Sequence, residues 1–164
     1  MTLEPLLSLM KRTALRCLCL LILAWTCPVH AAEPATAPSQ EDREAAFVTA
    51  LANVVFQGNW CLIEGEKLSE TKSDRYEIVG VMKTGGDRWV VNARIQYGTI
   101  NLVAPVPIQL KWAGDTPIMV VEKFTMPGAG TYSARVMIFE NTYSGSWTAG
   151  DHGGLLQGLI VKAK

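Results

Sequence analysis

Residues 87–98 read DRWVVNARIQYG, and their side chains alternate. Trp89, Val91, Ala93, Ile95 and Tyr97 fall on one parity, and Arg88, Val90, Asn92, Arg94 and Gln96 on the other. A period of two puts each set on its own face of an extended chain, so the stretch predicts a strand with one buried and one mostly solvated face. A helix would instead repeat apolar residues three and four apart. The alternation recurs at Val106, Ile108, Leu110 and Trp112, and again at Tyr132, Ala134, Val136 and Ile138.

Turn signals separate these runs: Thr84-Gly85-Gly86-Asp87, Tyr97-Gly98, Ala113-Gly114-Asp115 and Pro127-Gly128-Ala129-Gly130. The pattern predicts about nine strands, near 57–64, 74–83, 88–96, 99–104, 106–112, 117–124, 131–140, 142–148 and 155–162. Short links favour antiparallel pairing. The fold class expected is mainly β, an antiparallel barrel-like or sandwich domain of 8–9 strands. Upstream, Ser39 and Asp42 resemble a capping box, Glu41, Asp42 and Glu44 suit a first helical turn, and Phe47, Ala50, Leu51, Val54 and Val55 share one face. One amphipathic helix over 40–54 is expected to pack on the sheet or plug a barrel end.

An internal echo favours closure. Phe56-Gln-Gly58-Asn-Trp60 and Tyr143-Ser-Gly145-Ser-Trp147 share the pattern aromatic-x-Gly-x-Trp. The two copies would lie on strands brought together by a closed barrel, with glycine permitting a close backbone approach.

Residues 1–31 read as a signal peptide. Lys11, Arg12 and Arg16 precede the short apolar run Cys17–Trp25, and Val29-His30-Ala31 offers a cleavage site. Residues 32–39 (AEPATAPS) suit a flexible leader, and 40–164 a single domain. The expected location is periplasmic or secreted, with no membrane span after cleavage. Cleavage after Ala31 removes Glu4, Lys11, Arg12 and Arg16 and leaves 14 acidic and 12 basic residues, net −2. A near-neutral surface gives no footprint for nucleic acid, and a monomer is expected. Cys61 becomes the only cysteine, which excludes an internal disulfide and a cysteine-based zinc site.

The stretches DRWVVNARIQYG, VPIQLKWAGDTPI, PGAGTYSARV and YSGSWTAGDHGGLLQGLI, over roughly 52–161, resemble an uncharacterised family of small exported bacterial β-domain proteins. Lys111–Pro117 (KWAGDTP) is the most specific piece. The resemblance implies a domain type and an export route, and no activity. Gly58-Asn59-Trp60 on the first strand after a short helix is also similar to lipocalin and other calycin barrels.

Several candidate sites have simpler readings. Asp151-His152 could be part of a hydrolase, but Gly150, Gly153 and Gly154 around them are what a tight hairpin requires, and neighbours in extended chain point apart. Gly114-Asp115 reads as a two-residue hairpin loop. Glu64, Glu66, Glu70, Asp74 and Glu77 surround a polar loop, 65–74, that lacks the calcium-loop pattern. No catalytic residue, metal site or cofactor is expected. The aromatics carry the most chemistry. Trp60, Trp89, Tyr97, Trp112, Tyr132, Tyr143 and Trp147 either form the core or line a cavity, and Arg94 or Arg135 would meet a ligand carboxylate if either pointed inward. The functional expectation is non-catalytic binding of a small apolar or amphiphilic ligand. The alternative is a structural or protein/polysaccharide interaction module of the cell envelope, with an enzyme ranked below both.

Overall fold

The structure, a computed structural model, describes residues 37–164. The predicted signal peptide and the start of the leader lie outside the described residues. Among the described residues one helix, α1 (Gln40–Ala50), precedes nine strands: β1 (Val54–Glu64), β2 (Lys67–Leu68), β3 (Lys72–Gly85), β4 (Arg88–Tyr97), β5 (Ile100–Ala113), β6 (Thr116–Met126), β7 (Gly130–Phe139), β8 (Thr142–Ala149) and β9 (His152–Lys162). Eight of them run up and down in the order β1-β3-β4-β5-β6-β7-β8-β9, and β9 pairs back with β1 from Val54↔Lys162 to Leu62↔Gly154. The result is a closed antiparallel barrel, which leaves no free sheet edge at that joint. The two-residue β2 hairpins onto the end of β1.

α1 is capped as its sequence predicts. The Ser39 hydroxyl accepts from the Asp42 N–H at 3.1 Å, and the Asp42 carboxylate accepts from the Ser39 N–H at 3.2 Å. The helix is shorter than the expected 40–54. Asn53 takes a left-handed φ of 53° and its carbonyl accepts from the Ala163 N–H at 2.8 Å, so the chain turns there and the β-branched Val54 and Val55 open β1. Phe47 and Leu51 are 2% and 1% exposed. Each contributes about 2–3 kcal/mol by leaving water. Phe47 meets Trp89 edge to face at 5.6 Å, Arg43 lies 5.1 Å over Trp112 and donates to the Gly114 carbonyl at 2.7 Å, and Lys83 pairs with Glu44. These contacts seat α1 on the barrel end formed by the β3–β4 and β5–β6 turns. That is the lower end below.

Two predicted strands, 99–104 and 106–112, are one: β5 runs for 14 residues straight through Pro105 and Pro107. The Leu110 N–H donates to the Asp87 carbonyl at 2.7 Å, on the β4 side. Amides alternate sides along a strand, so odd-numbered residues, the prolines included, present their nitrogen on the other side. β5 pairs with β6 only from Gln109↔Val120 to Ala113↔Thr116. Pro105 and Pro107 therefore interrupt no ladder hydrogen bond.

The alternation of β4 holds in full. Trp89, Val91, Ala93 and Ile95 are 3–5% exposed, and Arg88 and Arg94 face solvent.

Candidate functional site

The barrel holds a cavity of about 410 Å³. Inward positions of all eight barrel strands build its walls, among them Phe56 on β1, Ile78 on β3, Val91 and Ile95 on β4, Ile108 on β5, Met119 on β6, Val136 on β7 and Leu156 on β9. It exists because glycines replace side chains where the rings pack. Tyr143 faces Gly158 across β8–β9, and Gly158 faces Gly58 across β9–β1. A Cβ on Gly58 would stand 2.6 Å from the Tyr143 hydroxyl, and one on Gly158 2.8 Å from its ring. Tyr143 thus lies over both glycines and reaches Asp74 on β3, its hydroxyl donating to Oδ1 at 2.9 Å.

The same spacing explains the internal echo. β1 and β8 are not direct neighbours, as closure alone would suggest, because β9 lies between them. Their inward aromatics still meet over β9: Phe56 stacks on Tyr143 at 5.0 Å, and Trp60 meets Trp147 edge to face at 5.7 Å. The glycines of β9 make room for this, since a Cβ on Gly154 would come within 2.9 Å of the Trp147 indole nitrogen.

At the upper end four rings form a collar. Tyr97 meets Trp60 at 6.4 Å, Trp60 meets Trp147, and Trp147 meets Tyr132 at 6.2 Å. The Tyr132 hydroxyl donates to the Ala129 carbonyl at 2.5 Å, which leaves Tyr97 to donate to Tyr132 at 3.1 Å and close the ring. Burial raises the Tyr97 phenol above its usual range, and its hydrogen bond to Tyr132 adds to the rise. The Tyr97 hydroxyl therefore stays protonated at ordinary pH. Trp60 and Trp147 each keep a buried indole N–H with no hydrogen-bond partner among the described residues. Lys72 lies 5.2 Å over Trp60, and His152 packs edge to face on Trp147 at 5.7 Å.

Of the residues singled out from sequence, Trp60, Tyr97, Tyr132, Tyr143 and Trp147 line the cavity. Trp89 and Trp112 do not, because α1 covers Trp89 with Phe47 and Trp112 with Arg43. Arg94 and Arg135 do not either. Both point outward, Arg94 to the Asn101 side chain at 3.4 Å and Arg135 to Glu122 at 2.7 Å. The loop reading of 65–74 misplaced Asp74, which is 5% exposed inside the barrel. It shares a parity with Tyr76 and Ile78, and that inward set was the available signal. Tyr76 also donates to Asp74, at 3.1 Å. Burial raises the Asp74 pKa, and the hydrogen bonds from Tyr143, Tyr76 and the Gly58 backbone act against that rise.

Gly150-Asp151 is the two-residue loop between β8 and β9, with Gly150 at φ 61°. Gly153 and Gly154 are not turn residues but lie within β9, where a Cβ on Gly154 would fall 1.8 Å from the Cys61 carbonyl oxygen. Asp151 and His152 do not point apart. Because Asp151 sits in the turn, its Oδ1 reaches His152 Nδ1 at 3.1 Å, which lowers the Asp151 pKa. The His152 ring joins the cavity wall. Cys61 is buried and free. Among the described residues no group of three His, Cys, Asp or Glu could hold a metal ion, and no helix is long and apolar enough to cross a membrane.

No family model, curated protein or solved structure matches this chain.

Proposed function

We propose that this barrel is a non-catalytic binding protein, exported by its N-terminal segment, that holds one small apolar or amphiphilic molecule in its lumen. The observation that carries the reading is the cavity itself. Eight-stranded barrels have interiors just large enough either to be filled by side chains or to hold one small ligand. Here glycines at 58, 154 and 158 draw the rings to the wall, and about 410 Å³ is left between them. That lies within the range of known ligand pockets. Two pairs of hydroxyls line the cavity, Tyr97 with Tyr132 at the collar and Tyr76 with Tyr143 on Asp74, and a ligand's polar end would meet the collar pair.

The test is a titration with cis-parinaric acid, a linear fluorescent fatty acid, read by energy transfer from Trp60 and Trp147. Saturable transfer is expected, and it should be lost in Ala134→Phe, which puts a ring into the lumen. Transfer that is unsaturable, or unchanged in the filled variant, contradicts the reading.

A second reading, an envelope interaction module, draws on the outer face. Phe139 is 56% exposed, Leu159 50% and Met137 42%, on the nearby strands β7 and β9.

A further inference from the structure

The barrel wall is parted between β5 and β6. Their last pair toward the upper end is Gln109↔Val120. Beyond it both strands run on in the same direction, β5 over Ile100–Ile108 paired only to β4, and β6 over Val121–Met126 paired only to β7. At the other joints the unpaired residues come from stagger, one strand ending where its neighbour continues. Here two strands lie side by side without a ladder for the length of six β6 residues, roughly 20 Å.

Both edges are shaped to stay apart. β5 has no N–H to offer at Pro105 and Pro107. β6 bulges between Val121 and Phe124, where Lys123 takes φ 48° and gives its N–H to the Ser133 hydroxyl on β7 at 3.0 Å. The inward side chains along the two edges are apolar, Val106 on β5 and Val121, Phe124 and Met126 on β6, and all four line the lumen. Above it, the hydroxyl bond from Tyr97 on β4 to Tyr132 on β7 spans the two parted strands. At the two ends, α1 packs on the lower one and the four-ring collar rims the upper one.

We propose that the β5–β6 seam is the lateral entrance to the lumen, and that the ligand is a linear aliphatic chain with one polar end, taken in sideways along the seam. This rests on the binding function proposed above. A slit bordered by flexible apolar side chains opens by rotamer changes and breakage of one neutral hydrogen bond, with no backbone ladder to undo. A chain suits a long slit better than a flat, rigid molecule does. Its polar end would stop at Tyr97 and Tyr132.

The test uses Val103→Cys with Thr125→Cys, two exposed positions on opposite sides of the seam, in a Cys61→Ser background. They are joined by a short bis-methanethiosulfonate linker that reductant removes. Stopped-flow uptake of cis-parinaric acid should slow by about tenfold or more when the linker is in place and recover when it is cut. Tyr97→Phe keeps the ring and removes the tie, and should speed both uptake and release. Binding at the same rate with and without the linker, or in Tyr97→Phe, overturns the entrance and leaves the binding function standing. No binding by the unlinked protein overturns both.

Discussion

The Tyr143 hydroxyl donates to Asp74 Oδ1 at 2.9 Å across two intervening strands, passing over Gly158 on β9 and Gly58 on β1. One side chain thereby ties β8 to β3 over the joint that closes the barrel. The arrangement needs a carboxylate, a phenol and two missing Cβ atoms in one row.

Gly58→Ala should break that row. The new methyl would lie 2.0 Å from the Gln157 carbonyl oxygen and 2.7 Å from the Gly158 Cα, and backbone cannot yield as a flexible side chain does. Urea unfolding should show a loss of about 3 kcal/mol or more, whereas Gly80→Ala, with open space around it, should stay within about 0.5 kcal/mol.

Tyr143→Phe keeps the stack on Phe56 and removes the donor to Asp74. A buried carboxylate oxygen loses a partner, so a loss of about 1–3 kcal/mol is expected in the same assay.

Asp74→Asn tests the direction of the carboxyl's shift. Its folded pKa is raised by burial, so the folded state binds that proton more tightly than the unfolded chain does. The carboxyl's contribution to stability is therefore full below the unfolded value, about 3.9, and is lost as pH rises through the folded one. Asn does not titrate. The Tm of Asp74→Asn minus that of the parent should become more positive between acidic and neutral pH. The lowered pKa values of Asp42, Glu44, Asp87 and Asp151 act oppositely but cancel in the difference. A difference that falls with pH would mean that the hydrogen bonds outweigh burial.

Phe47→Ala removes the ring that α1 sets against Trp89, which is buried under the helix. A loss of about 3–5 kcal/mol is expected from the cavity left behind. Ser39→Ala, at the cap, should cost about 1 kcal/mol.

The fold was largely legible because period-two alternation reports which side chains face inward, residue by residue. Trp89 through Tyr97 shows this most clearly. The β5 prolines misled because their effect depends on whether a neighbour needs the missing N–H, and pairing range is not written locally. Val54 and Val55 fit a helical face and a strand equally well, and Asn53 decided between them through its backbone. The cavity was half legible. Aromatics named it, but Trp89 and Trp112 share the alternation of Trp60 and differ only in height along the barrel, where α1 covers them. Asp74 was hidden by its acidic neighbours in sequence. Its partner Tyr143 is 69 residues away.

The most direct measurement of the central claim is native mass spectrometry of the protein exported under its own N-terminal segment and purified without detergent. The account predicts a chain beginning at Ala32 that carries one extra mass, lost on denaturation and absent from Ala134→Phe. A full-length mass would contradict export with cleavage. A bare chain that also fails to take up added cis-parinaric acid would contradict the lumen as a ligand chamber.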